Sequence, residues 1–202
     1  MTDLRNNIWE EEQDFPQPKH TPINSEADRV VQIVINAVNG SVDAFGKLYI
    51  AYVEKIYRYI FYHVMNKSMA EDITEDTFIK AWKAIGSCRG REKTFSSWLY
   101  RIAHNQMVDE LRRNKRGLFV DIDTIEIIGS AERDLERRLE KQELLMVLDC
   151  LSPQQRQVIT LKFIEDLKND EISIITGKSQ EAIRVLQMRA LSKLRKELSK
   201  RY

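Results

Sequence analysis

Apolar positions recur every three or four residues along most of the chain, the spacing that lines one face of an α-helix. Val30, Val31, Val34, Ile35 and Val38 form one such stripe, stopped by Asn39-Gly40. A second opens near Ser41 and carries Phe45, Leu48, Tyr49, Tyr52, Ile56, Tyr59 and Ile60. Ser68 and Glu71 have capping-box spacing and predict the start of a third helix, with Ile73, Phe78, Trp82 and Ile85 inward and Gly86 at its end. A polar loop reaches Lys93. The fourth helix, from about Thr94 to Arg116, turns from apolar to basic along its length and stops at Gly117.

Between Gly117 and Ser130 the helical period is lost. The alternation there resembles a strand, but no other segment offers a partner strand, and the stretch reads as an extended acidic linker. Helical spacing returns with Leu135, Leu139, Leu144, Leu148 and Leu151. Ser152-Pro153-Gln154-Gln155 marks a helix start, with a serine cap, proline in the first turn and glutamine at the third position. Helices over about 153–166, 169–176 and 179–200 complete the pattern. The expected fold is all-α: two small helical domains, 25–117 and 133–202, joined by an acidic linker over 118–132. Residues 1–24 hold three of the four prolines and no apolar stripe, and read as a disordered acidic tail.

Composition narrows the function classes. Seven glycines and four prolines in 202 residues suit a chain that is helical throughout. No apolar run reaches the roughly 18 residues of a membrane span, and the acidic start is unlike a signal peptide. No membrane insertion is expected. Cys88 and Cys150 make no disulfide framework, which points to a reducing cytoplasm. Three scattered histidines and two distant cysteines match no ligand spacing, so neither a metal nor a cofactor is expected. There is no phosphate-binding glycine loop, nucleophile elbow or HExxH arrangement, and no catalytic residue is assigned.

The net charge of +1 conceals a block pattern. Residues 1–28 carry seven acids against two bases, and residues 121–149 nine against four. Residues 101–120 carry five bases against two acids, and residues 184–202 seven against one. Two basic blocks separated by an acidic one suit contact with a polyanion at two places, although solvated helix faces give the same pattern.

The last helices have the dimensions of a helix-turn-helix. A short helix with Ile172 and Ile175 leads to Thr176-Gly177-Lys178-Ser179, where Gly177 suits the turn and Ser179 can cap the next helix. That final helix is expected to bury Ile183, Leu186, Ala190, Leu191, Leu194 and Leu198. Its other side presents Gln180, Glu181, Arg184, Met188 and Arg195, with Arg189 on the flank. Amide, carboxylate and guanidinium groups near a helix start are the chemistry of base-edge readout, and the basic end suits phosphates. An ordinary amphipathic helix with a charged face is the plainer alternative.

These residues resemble a family. Leu151 through Val158, Asp170-Glu171-Ile172, Ala182-Ile183-Arg184 and Arg189-Ala190 look like region 4 of the small extracytoplasmic-function RNA polymerase sigma factors. Asp43-Ala44-Phe45, the run Ala70 to Trp82, and Phe95 to Asn105 followed by Asp109 and Arg112-Arg113 look like region 2. The resemblance covers roughly residues 26–116 and 133–200. It implies that Glu71, Asp72, Glu75 and Asp76 dock on core RNA polymerase, at the clamp of the β-prime subunit, while region 4 meets the flap of the β subunit. It implies a −10 promoter DNA site at Lys80, Ser87, Cys88, Arg89 and Asn105, with Arg112 and Arg113 along the duplex upstream. It implies a −35 site at Ser179, Gln180, Glu181, Arg184, Met188 and Arg189. An anti-sigma factor is the family's usual means of control. The tail before Ser25 is longer than the family pattern, Cys88 stands where an aromatic often sits, and Val185 and Leu186 replace polar residues. The second reading is a polymerase-independent helix-turn-helix regulator, which a palindromic operator and a stable dimer would support.

Overall fold

The structure, a computed structural model, describes residues 26–116 and 144–200. The expectations for the tail, the linker and Leu135 and Leu139 lie outside them. The helices are α1 (Glu26–Val38), α2 (Val42–Val64), α3 (Lys67–Ala84), α4 (Phe95–Arg116), α5 (144–149), α6 (Pro153–Ile159), α7 (Asn169–Thr176) and α8 (Gln180–Leu198). No described residue is in a strand.

Local chemistry sets most of the boundaries. Ser41 caps α2, its Oγ accepting the Ala44 amide at 3.2 Å. Met65 leaves α2 in the left-handed region, its amide donating to the Phe61 carbonyl at 2.8 Å. The start of α3 differs from expectation. Asn66, not Ser68, is the cap, with Oδ1 accepting the Met69 amide at 2.9 Å. Asn competes well for this position, and moving the cap two residues back leaves no acid in the first turn. Nor does α3 end at Gly86. It passes at Ala84 into a 3₁₀ turn, Ile85–Cys88, and a second such turn spans Glu92–Thr94.

The first four helices pack each on the next, around Leu48, Ile56, Tyr59, Ile60, Phe95, Leu99 and Tyr100, all essentially buried. Each such side chain contributes roughly 1.5–3 kcal/mol of transfer free energy. Trp82, expected inside, is 39% exposed and packs edge-on against Phe45 at 4.8 Å between centroids. Trp98 is half-buried against the core.

In the second group the Ser152 capping box forms in full, with Pro153 beginning α6. The helix then departs from the expected run to 166. Thr160–Ile164 is a π-helical turn, closed by the Glu165 amide on the Thr160 carbonyl at 3.0 Å. Asp166 comes next, at φ 54°. α6 and α7 both pack on α8, but only Ile183 and Ala190 are fully buried there. Leu191 and Leu198, expected inward, are exposed.

The two groups are in contact. α4 packs on α7, and α2 meets the π turn and α6. One apolar cluster runs from Leu48, Ile56 and Leu99 through to Leu161, Leu167, Ile172 and Ile183. A second joins Tyr62 of α2 to Leu145, Leu148, Leu151 and Ile159. Nothing in the hydrophobic spacing indicates this contact, because each half already has an inward stripe of its own.

Candidate nucleic-acid interface

The helix-turn-helix is built as its residues require. α7 ends at Gly177, whose φ of 68° admits glycine readily, and the Gly177 amide closes on the Ser173 carbonyl at 2.9 Å. Ser179 caps α8 by accepting the Ala182 amide at 3.2 Å. The Gln187 amide donates to Asn169 Oδ1 at 3.0 Å and fixes α8 against α7.

Burial of Ile183 and Ala190 turns the opposite face of α8 outward. Gln180, Glu181, Arg184, Met188 and Arg189 are all exposed, Met188 by 64%. Arg184 Nη1 stands 4.0 Å from Glu181. Glu181's carboxyl lies below the usual range, held first by its own backbone amide and then by the Ser179 hydroxyl and Arg184. An exposed carboxylate beside an exposed guanidinium offers acceptor and donor groups together on a surface open to a groove. Ser179 is itself exposed, with Oγ engaged in the cap.

The first group presents its polar residues in two places. Lys80 on α3 donates to Oε1 of Gln106 on α4, which brings it beside exposed Asn105. Ser87 and Arg89 are exposed in and just after the first 3₁₀ turn, and Arg89 reaches Asn39 Oδ1 at 3.4 Å. Arg112 and Arg113 are exposed two turns beyond Asn105, Arg113 paired with Glu110 at 3.2 Å. Cys88 does not join them. It is 1% exposed and part of the core, because the 3₁₀ turn directs it inward, so it is withdrawn from the DNA-contact set.

Glu71, Asp72, Glu75 and Asp76 are all exposed on α3. Asp72 and Asp76 line a cleft of about 400 Å³ with Asn66, Met69 and Glu110. Glu110 escaped the sequence reading because it lies on a different helix, 34 residues after Asp76. Ile79, also on α3, is an exposed apolar side chain at 50%. Among the described residues no group of His, Cys, Asp and Glu is arranged to hold a metal, and no helix is long and apolar enough to cross a membrane.

A capped helix-turn-helix with an open reading face, carried beside a second helical group, defines a DNA-binding transcription protein. The sigma-70 region 2 family matches residues 48–117 and the sigma-70 region 4 family residues 141–194. The chain is 35% identical over 175 residues to the ECF RNA polymerase sigma factor BldN of Streptomyces coelicolor, covering 85% of this chain and 66% of that protein. It is 33% identical over 147 residues to the RNA polymerase sigma factor SigV of Bacillus subtilis, covering 73% and 86%. Two solved structures share the fold. CnrH, a sigma factor of Cupriavidus metallidurans solved with the cytosolic domain of CnrY, superposes with a TM-score of 0.67 at 24% identity, over 84% of this chain and 97% of that one. RpoE of Bartonella quintana, solved with the anti-sigma factor NepR, gives 0.64 at 23%, over 78% and 98%. The chain belongs to the extracytoplasmic-function group of RNA polymerase sigma factors. It is an alternative sigma factor, directing RNA polymerase to promoters in transcription initiation. No observation favours the polymerase-independent regulator.

Proposed function

We propose that the exposed face of α8, with Gln180, Glu181, Arg184, Met188 and Arg189, reads the −35 element, Ser179 setting the helix start. Lys80, Ser87, Arg89 and Asn105 meet the −10 element, and Arg112 and Arg113 track the duplex upstream. Glu71, Asp72, Glu75 and Asp76 dock on core polymerase at the β-prime clamp, and region 4 meets the β flap. In this reading residues 25–117 act as region 2, 133–202 as region 4, and 118–132 as the linker. The protein acts in the cytoplasm as a non-catalytic subunit. Its control falls to an anti-sigma partner, the usual arrangement in this family.

The observation that carries this reading is the division of α8. Ile183 and Ala190 are buried, while every residue assigned to the −35 site is exposed. The test is run-off transcription by core polymerase on a promoter library, with and without the protein. Promoter-specific products that require it are expected, and their absence with active core enzyme would overturn the assignment.

A further inference from the structure

Two apolar side chains stand at the middle of the exposed face of α8. Val185 is 40% exposed and Met188 64%. Ile183 and Ala190, both fully buried, fix the inward direction of the helix. At about 100° per residue, Glu181, Val185 and Met188 all lie within about 30° of the opposite pole, whereas Arg184 and Arg189 stand about 70° to either side of it. The exposed face thus has an apolar centre, a carboxylate at its start and a guanidinium on each flank. Leu191 and Leu198, also exposed, lie at least about 90° from this pole.

The described remainder of the chain leaves the pole open, because α8 is held from its other sides. Gln187 bonds to Asn169, and Lys193 donates to the Cys150 carbonyl. The first helical group meets the helix-turn-helix half elsewhere, through α6, α7 and the π turn. The π turn directs Glu165 into that contact, where its side chain is fully buried. Oε1 accepts from Arg58 Nε at 2.8 Å, and Oε2 accepts from Arg58 Nη2 at 2.9 Å and from the Tyr100 hydroxyl at 2.8 Å.

An apolar pole on a recognition helix matches one group in the DNA major groove. Every base pair shows donors and acceptors there, and thymine alone adds an apolar C5-methyl. An aliphatic side chain set against another base edge takes a polar group out of water without replacing its hydrogen bond. Against thymine it covers a methyl instead, which is favourable. We infer that Val185 and Met188 are specificity-determining residues that read thymine methyl groups, on base pairs next to the one that Arg184 contacts. The adjacency follows from the helix. Val185 lies about 1.5 Å and Met188 about 6 Å farther along its axis than Arg184. One base-pair step is about 3.4 Å, so both fall within two steps. The inference rests on the proposed −35 role of α8. A protein is the other class of ligand for an apolar surface. Two side chains between charged flanks are, however, far smaller than the apolar centre of a stable protein interface.

The test uses the full chain with purified core RNA polymerase, at limiting concentration, on promoters whose −35 elements the wild type has selected from a library. Each thymine of the element, on either strand, is replaced singly by deoxyuridine, which removes the methyl and keeps every hydrogen-bonding group. Run-off product from the wild type should fall about fourfold at one or two neighbouring positions, the loss expected for one methyl-sized group left uncovered. With Val185→Ala or Met188→Ala, the thymine and deoxyuridine templates should become equal at the position which that side chain covers. Both sites are exposed and alanine favours a helix, so these variants keep the fold.

Selected elements without thymine, no deoxyuridine effect in the wild type, or an effect that both alanine variants retain would each overturn the inference. So would weaker binding of either variant to core polymerase without promoter, which would assign the pole to a protein contact. Arg184→Ala separates the two levels. If it shifts the −35 profile while deoxyuridine changes nothing, α8 reads the element but not through methyl groups. If no α8 variant shifts the profile, the −35 assignment has failed and this inference with it.

Discussion

The Ser173 hydroxyl donates to the main-chain carbonyl of Lys178 at 2.6 Å, locking the corner between α7 and α8 from within. Gly177 stands inside that corner at φ 68°, with open space where a Cβ would project. The cost of a side chain there is therefore conformational and not steric. Gly177→Ala should destabilise the folded chain by about 1–2 kcal/mol, and Gly177→Asn by less, because asparagine tolerates this region. Chemical denaturation of the two variants against wild type measures the difference, and equal losses would show that the turn relaxes instead.

Arg184 and Arg189 share one helix but should fail differently. Arg184 comes directly after buried Ile183 near the start of α8, where a guanidinium reaches base edges, whereas Arg189 precedes buried Ala190 on the flank. Arg184→Ala should change which −35 sequences are used, at a cost of roughly 1–3 kcal/mol for the lost contact. Arg189→Ala should weaken all sequences alike and lower the salt slope by about one unit. A −35 library read by transcription separates the two, with core binding unchanged in both.

The histidines at the contact between the halves should make stability fall in mild acid. His63 Nδ1 donates to the Tyr59 carbonyl at 2.7 Å, and Nε2 is buried without a partner among the described residues, although part of the side chain reaches solvent. Burial holds the ring neutral and lowers its pKa to about 4, despite the Tyr59 bond, with His104 and Arg156 adding repulsion. His104 is lowered as well, by burial and then by Lys178. A folded-state value below the unfolded value of about 6.5 means that the stabilisation is complete above that pH and is lost as pH falls toward 4. For His63 the loss amounts to at most about 3 kcal/mol. His63→Phe should flatten the dependence of the unfolding midpoint on pH between 7 and 5, and a parallel profile would assign the slope to other groups.

The two thiols should react at different rates. Cys150 is half-buried beside the second apolar cluster, and Cys88 is enclosed in the first. A thiol reagent on the native protein should modify Cys150 first and reach Cys88 only through opening of the helix bundle. Peptide mapping after timed quenching reads the order. Faster labelling of Cys88 would mean that the 3₁₀ turn opens on its own.

Features written in neighbouring residues were legible in the sequence. Ser152 with Pro153 and Gln155, Gly177 in its turn and Ser179 at the start of α8 all work within a few positions, and each is found where expected. The start of α3 was misplaced because Ser68 with Glu71 has the spacing of a cap, while Asn66, two residues earlier, does the capping. Leu191 and Leu198 fit the inward stripe of α8 by period, but α6 and α7 cover that helix fully only at Ile183 and Ala190. The exposed polar groups of the candidate site were legible because they are what the buried stripe leaves over. Cys88 and Glu165 were not, since non-α turns aim both inward and a 3.6-residue period carries no sign of such turns.

The turn at Thr160–Ile164 also makes the contact between the halves a matter of chain length. Each residue of an α-helix advances the side-chain direction by about 100°, so closing this turn over one residue more than an α-helix uses rotates everything after it by that amount. Deleting one residue from the turn would return the backbone to α-helical phase and swing Glu165 off Arg58 without altering either side chain. Reinserting any helix-tolerant residue would bring it back. The genetic unit that governs the contact is thus an insertion or deletion of a single codon, and in a sequence comparison it would be visible as a gap of one position.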